Sequence, residues 1–454
     1  MAHTARTAGA LVASAALTLT TLAGSPATAA PAAAAAATVD GTAAAQASTW
    51  IRGELEDNLA PGEFGPDYGL SIDIALGLNE TGNQSTVRAI GGAVGAQIES
   101  YISGVAFGDV GSTYAGATAK AAALARVSGG NPTSYGGVNL VTRLEERVAT
   151  AAPITGRIED KSTYGDFANV VGQSFAARAL VQAKSARAAD AVSFLLAQQC
   201  AGGYFRLNFT ESKTETSQSC VDGAADSAAD LDATSLTVVN LAASGDASAE
   251  VKAALDRAGA WLAAQQAANG AFGKVGSTGT PNTNSTGLAG WALGSIGNKA
   301  AAADAAVWVR KRQPVDKNRC RSALSKDLGA VAYEESAVRK ARTAGITVEL
   351  ADQWRRATAQ ALPVLQWAPA SDDRLRTKGS AKRAEARTKV RFKSFGLAPG
   401  ERACVSVKGD FKRLVGKANG GKVAAKLSMP NGKAKRKVKL KTADAVAKTF
   451  VLVR

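Results

Sequence analysis

Histidine is all but missing from this 454-residue chain: the single copy is His3. Sulfur is nearly as scarce, with four cysteines and two methionines, and Phe, Trp and Tyr together make up only 6%. Without a second histidine, and with the cysteines expected to be oxidised, no zinc site of normal ligand type can be assembled, and no metal or other cofactor is expected. Long apolar runs are lacking too. Beyond the N-terminal segment nothing approaches the roughly eighteen uncharged residues that a membrane-spanning helix needs. Net positive charge is absent from most of the chain: of 54 basic and 38 acidic residues, residues 371–454 hold 24 and 6, which leaves 30 against 32 for the rest. The net charge of +16 therefore belongs to the C-terminal segment.

What is present begins with an export signal. Arg6 is followed by an uncharged stretch from Thr7 to Ser25, rich in Ala, Leu and Thr, and then by the small-residue pattern Ala27-Thr28-Ala29. Residues 1–29 read as a secretory signal peptide cleaved after Ala29, and residues 30–40 as a low-complexity Ala linker. The mature protein is expected outside the cytoplasmic membrane, secreted or held at the cell envelope. There the cysteines read as two disulfides. Cys200 and Cys220 flank one loop, whose closure contributes about 3 kcal/mol on the chain-entropy model. Cys320 and Cys404 are left to tie two regions together.

The chain exceeds what one hydrophobic core normally serves, so at least two domains are expected. Residues 41–368 carry Ala- and Leu-rich periodic segments separated by Gly, Asn, Asp and Thr clusters, the pattern of helices. Phe194, Trp261 and Trp308 each stand five positions before a glutamine: Gln199, Gln266 and Gln313. Two copies continue alike, as Gln199 to Phe205 and Gln266 to Phe272 both read QxxxGxF. Trp50 and Tyr101 mark weaker earlier copies. A second, almost wholly apolar helix is expected after each, starting from polar caps near Asp67, Asp230, Asn282 and Asp327. A helix apolar on all sides must be buried, so stacked hairpins form either an open superhelix or a closed ring lined by these inner helices.

These turns, the aromatic-to-Gln spacing and the polar-capped inner helices resemble the prenyltransferase and squalene-cyclase repeats of the α/α-toroid superfamily. The resemblance covers residues 40–368, is strongest from Phe194 to Leu293, and is closest to exported bacterial surface proteins that carry a toroid followed by a β domain. It implies a mainly α fold, a toroid of about six helical hairpins. It also singles out Asp230-Leu-Asp232-Ala-Thr234, which is similar to the DxDDT signature of class II terpene cyclases. By that likeness Asp232 is the acid that protonates an alkene or epoxide and Asp230 its companion. Ala233 departs from the pattern, and the low aromatic content departs from the ring-lined cavities that stabilise carbocations in such enzymes. Read as residues alone, Asp230 and Asp232 are caps of an inner helix.

The same superfamily's zinc-dependent prenyltransferases are excluded by the ligand count. Asp222, Asp226, Asp230 and Asp232 lie close together but do not reproduce the spacing of an EF-hand calcium loop, and read as solvated loop plus cap. A corrinoid carrier is an analogy at the level of fold alone.

After Trp367 the composition changes, and alternating segments appear at 389–393, 404–408, 422–427, 437–441 and 449–453. With turns at Ala398-Pro-Gly, Asn419-Gly-Gly and Pro430-Asn-Gly, residues 372–454 read as a small immunoglobulin-like β-sandwich. Lysines alternate with Val and Leu, so one face should be basic and attract an anionic envelope polymer or lipid surface. Nucleic acid is disfavoured, because only Phe392, Phe395, Phe411 and Phe450 are available for base stacking. The functional expectation is an exported, non-catalytic toroid protein acting as a cell-surface scaffold or as a binder of an apolar ligand. The rivals are a cyclase-like enzyme using Asp232 and a carrier of a corrinoid-like molecule.

Overall fold

The computed structural model describes residues 38–273, 280–314, 320 and 322–454. The expected signal-peptide segment, His3 and most of the expected Ala linker lie outside these residues. The helical part opens with α1 (Thr42–Gly53), a short hairpin of β1 (Ala60–Gly62) and β2 (Gly65–Asp67), and α2 (Tyr68–Glu80). There follow α3 (Gln84–Ala96), α4 (Ile98–Ile102), α5 (Ala115–Val127), α6 (Leu140–Glu145), α7 (Val170–Ala183) and α8 (Ala188–Ala197). The last six are α9 (Leu231–Ser244), α10 (Ala249–Gln265), α11 (Thr283–Ser295), α12 (Lys299–Arg310), α13 (Glu335–Ala344) and α14 (Val348–Ala361). Six of these pack side by side in the order α2, α5, α7, α9, α11, α14, and α14 returns to α2. That cycle of contacts is a closed ring, an α/α toroid with the remaining helices outside it.

Two local devices start the inner helices. A side-chain oxygen accepts from the third amide onward: Asp67 from Leu70, Asn169 from Gly172, Asp230 from Ala233 and Asn282 from Ser285, at 2.8, 3.1, 2.8 and 2.9 Å. Each such cap stabilises by about 1 kcal/mol. A second oxygen, one turn into the helix, accepts the amide of the turn that leads up to it. Ser71 takes Ala60, Gln173 takes Ile158, Thr234 takes Phe205 and Thr286 takes Phe272, all at 2.8 to 3.0 Å. The Phe of each QxxxGxF turn is thereby pinned to its own inner helix.

The repeated glutamines supply the sideways links. Gln199 donates to the carbonyls of Gly203 and Ala254, and Gln266 to those of Gly270 and Ala301. Gln313 makes the same pair of bonds to Gly329 and to Ala43, at 3.3 and 3.0 Å. Ala43 belongs to α1, so the third copy of the motif joins the last repeat to the first helix. Gly329 fits this role because its φ is +99°, and a Cβ there would meet the Gln46 carbonyl at 2.2 Å.

That finding corrects one expectation. Asp327 does not begin an inner helix: residues 327–330 are a turn, and Val331 donates its amide to Thr358 as Phe205 and Phe272 do to their threonines. The stretch is the turn of the Gln313 repeat, delayed by an insertion, and its inner helix starts only at Val348. An apolar run after an Asp mimicked a cap, but a residue at Gly329's φ cannot sit inside a helix.

The C-terminal domain has two sheets. One contains β3 (Arg376–Gly379), β5 (Lys389–Phe395) and β8 (Val423–Ser428). The other runs β4 (Arg383–Ala384), β10 (Val446–Val453), β9 (Ala434–Lys441), β6 (Arg402–Val407) and β7 (Asp410–Val415), with β4 parallel to β10. This is an immunoglobulin-like sandwich whose first strand is shared between the sheets. Val390, Phe392, Val405, Leu427, Leu440 and Val451 fill its core. β6 is buried on both faces because the toroid covers its outer side. Arg402 pairs with Glu335 at 2.6 Å, Arg413 donates to the Cys320 carbonyl at 2.6 Å, and Cys320 is disulfide-bonded to Cys404. Cys200 and Cys220 form the other disulfide, with Cα atoms 4.9 Å apart.

Candidate functional site

The ring leaves a bore. A cavity of about 340 Å³ occupies it, and all six inner helices contribute to its lining. That is near the lower bound of cavities that enclose a drug-sized molecule. It lies toward the N-terminal ends of α5 and α7, whose flanking residues Tyr114 and Asn169 line it. Leu236, Leu288 and Phe175 give an apolar wall, and Trp291, Tyr101, Tyr114 and Phe167 add rings. Scarce as aromatics are, five of them face this space.

Charge enters in the middle of otherwise apolar helices. Lys120 of α5 pairs with Asp73 of α2 at 2.6 Å and donates to the Gly69 carbonyl at 3.1 Å. Burial works against the Lys120 cation, but Asp73 and the Tyr101 hydroxyl beside it hold its pKa above the ordinary lysine range. Burial raises Tyr101. At the rim, burial pushes the Asp160 carboxyl up, against the hydrogen bonds it accepts from the Ala115 and Phe167 amides at 2.7 and 3.2 Å. Arg178 of α7 is 8% exposed. Among the described residues its one hydrogen bond goes to Asn240 at 3.3 Å and its Nε has no partner, and burial depresses its pKa, with Glu80 opposing.

Asp230 and Asp232 lie elsewhere. Asp230 caps α9, and neither residue lines the cavity. Asp232 sits half-buried in the first turn of α9, with Oδ1 unpartnered. Burial pushes its carboxyl above the usual range; a hydrogen bond from Ser285 works against this, and the charge of Asp230 works with it. Thr234, the last residue of the motif, is engaged by Phe205. The nearby acids are engaged as well: Asp222 accepts the Gly202 amide at 3.0 Å, and Asp226 pairs with Arg206 at 2.8 Å. Among the described residues no cluster of His, Cys, Asp and Glu is placed to hold a metal ion.

Reading the sequence for motifs passed over Asp73, Lys120 and Arg178. A signal for them existed, a lone charge in mid-helix within Ala- and Leu-rich segments expected to be buried.

No family model matches the chain, and no curated protein matches it. Solved structures do. A protein from Actinoplanes is 17% identical, with a TM-score of 0.48, and the match covers 72% of this chain and 99% of that one. The type II terpene cyclase MstE from Scytonema is 14% identical, with a TM-score of 0.47 and coverage of 71% and 96%. The ent-copalyl diphosphate synthase from Streptomyces platensis is 15% identical, with a TM-score of 0.39 and coverage of 67% and 52%.

Proposed function

We propose that this is an exported, non-catalytic binding protein that encloses a small, largely apolar molecule in the bore of its toroid and is held at the cell envelope by its basic β domain. The observation that carries the first half is the cavity on the ring axis, walled by aliphatic and aromatic side chains from every inner helix. The position of Asp232 outside that lining supports binding over catalysis.

The second half is supported by the outer face of the three-stranded sheet. Lys389, Arg391 and Lys393 alternate along β5 and are exposed. The register sets Arg391 opposite Lys426 and Lys393 opposite Lys378. Like charges directly opposite destabilise a sheet, and a bound polyanion relieves that repulsion. Among the described residues none of these five cations is in an ion pair with a side chain.

The bore reading is tested with the neutral fluorophore N-phenyl-1-naphthylamine. The wild type should enhance its emission, and Ala117→Phe, which fills the cavity from α5, should abolish the enhancement without loss of the folded circular dichroism spectrum. Enhancement that survives in Ala117→Phe would place the dye elsewhere and sink the reading. Formation of a cyclised product from a linear isoprenoid, lost in Asp232→Asn, would replace binding by catalysis.

A further inference from the structure

Arg178 stands between two cavities of the bore. Together with Leu76, Val239 and Trp291 it lines both the 340 Å³ cavity and a second cavity of about 240 Å³ toward the C-terminal ends of the inner helices. The guanidinium is therefore the floor of one compartment and the roof of the other, and it is 92% buried on the complement of its 8% exposure.

A buried cation is normally paired or saturated with acceptors. Among the described residues this one has neither an ion-pair partner nor a full set of acceptors. The acids around the bore are placed to serve other groups: Asp73 is held by Lys120 at 2.6 Å, and Asp160 accepts two amides at the rim. Glu80 lines the lower cavity and acts on Arg178 from beyond ion-pair distance. Asn240 offers one neutral oxygen at 3.3 Å and is itself oriented by donating to Ser174 at 2.9 Å. The Nε proton has no acceptor. An acceptor that enters from the cavity would complete the set, and a planar or tetrahedral oxyanion fits a guanidinium best.

Besides the Lys120–Asp73 pair and the Asp160 carboxyl at the rim, the wall above the floor carries Phe175, Leu236, Leu288 and Trp291. We infer that the molecule held in the bore is an anionic amphiphile, its carboxylate or phosphate group on Arg178 and its apolar body along Phe175, Leu236, Leu288 and Trp291. The inference rests on the bore reading and names the ligand class for it.

The test compares probes of one chain length: decanoate, decyl phosphate, decanol and decyltrimethylammonium. Trp291 reports binding through its fluorescence, with Trp291→Phe as the control for the other tryptophans. Decanoate and decyl phosphate should bind at least about tenfold tighter than decanol, the ratio expected for one charge-assisted hydrogen-bonded contact. Arg178→Gln should remove the difference, and Arg178→Lys should restore part of it. The wild-type ratio alone decides the matter if Arg178→Gln fails to fold.

Equal affinity for decanoate and decanol would overturn the anionic head group while leaving the bore reading intact. So would failure of every decyl probe when N-phenyl-1-naphthylamine still binds. Failure of the naphthylamine as well would remove the bore reading itself.

Discussion

Replacing Gln313 by Ala should loosen the whole toroid, although the residue lies in a turn far from the bore's lining. The side chain is 3% exposed and donates to two carbonyls, those of Ala43 and Gly329. Truncation leaves both short of a donor in a place water does not reach, at roughly 1 to 3 kcal/mol for a buried polar group left unsatisfied. Because the Ala43 carbonyl also faces its own helix, we take about 3 kcal/mol for the pair. An unfolding entropy of about 2.1 cal/mol/K per residue over roughly 330 residues gives about 0.7 kcal/mol/K, so the melting temperature should fall by about 4 °C. Gln266→Ala removes the same two bonds between neighbours in mid-ring and should act in the same direction, less strongly because Gln266 is only half-buried. Differential scanning calorimetry of the two variants decides the point. A Gln313→Ala protein that melts within about 1 °C of the wild type, beside a clear loss for Gln266→Ala, would show that the ring is not held shut by this tie.

Two further outcomes follow from the site and the sheet. The folded pKa of Asp232 is raised, so the stability it contributes is complete below its unfolded pKa of about 3.9 and is lost as pH rises through the folded value. Asp232→Asn should therefore melt higher than the wild type at pH 7, by a margin that shrinks toward pH 4; a margin independent of pH would refute the assignment. For the basic face, the triple change Lys389→Glu, Arg391→Glu and Lys393→Glu should flatten the salt dependence of binding to a phosphodiester wall polymer by roughly 2 to 3 in log–log slope. An unchanged slope would remove envelope attachment through β5.

Much of the architecture was legible because it is written in residue types with few uses. Asp67, Asp230 and Asn282 announced helix starts because a short oxygen-bearing side chain satisfies orphan amides best there. The Gln and Gly of each turn were visible as spacing, but their partners were not, since a carbonyl on the next outer helix leaves no mark in the sequence. The cysteine count implied two disulfides, and the single loop flanked by Cys200 and Cys220 picked out one pair and left Cys320 to Cys404. The strand β7 was missed, as Lys412 and Arg413 interrupt its alternation, and so were the two short pieces β3 and β4. The site was the least legible part. The Asp232 motif drew the eye by likeness, whereas Arg178 matters through what surrounds it, and an unmet hydrogen-bonding demand is a property of packing in three dimensions.

The clasp between the two domains sets a load path. Arg310 on α12 lies 3.9 Å from the Glu401 carboxylate, Arg402 donates to the Lys311 carbonyl at 2.5 Å, and the bond from Cys404 enters the helical part at Cys320, just past Gln313. A pull on the β domain therefore reaches the toroid through two covalent routes, the backbone at residues 368–375 and the disulfide at Cys320. Tension is carried by sulfur and backbone, and the hydrogen bonds of the joint are spared from being peeled one by one. Reduction of that single disulfide would leave the backbone at residues 368–375 as the covalent link between the domains, with Arg402 alone holding β6 to Lys311 and Glu335.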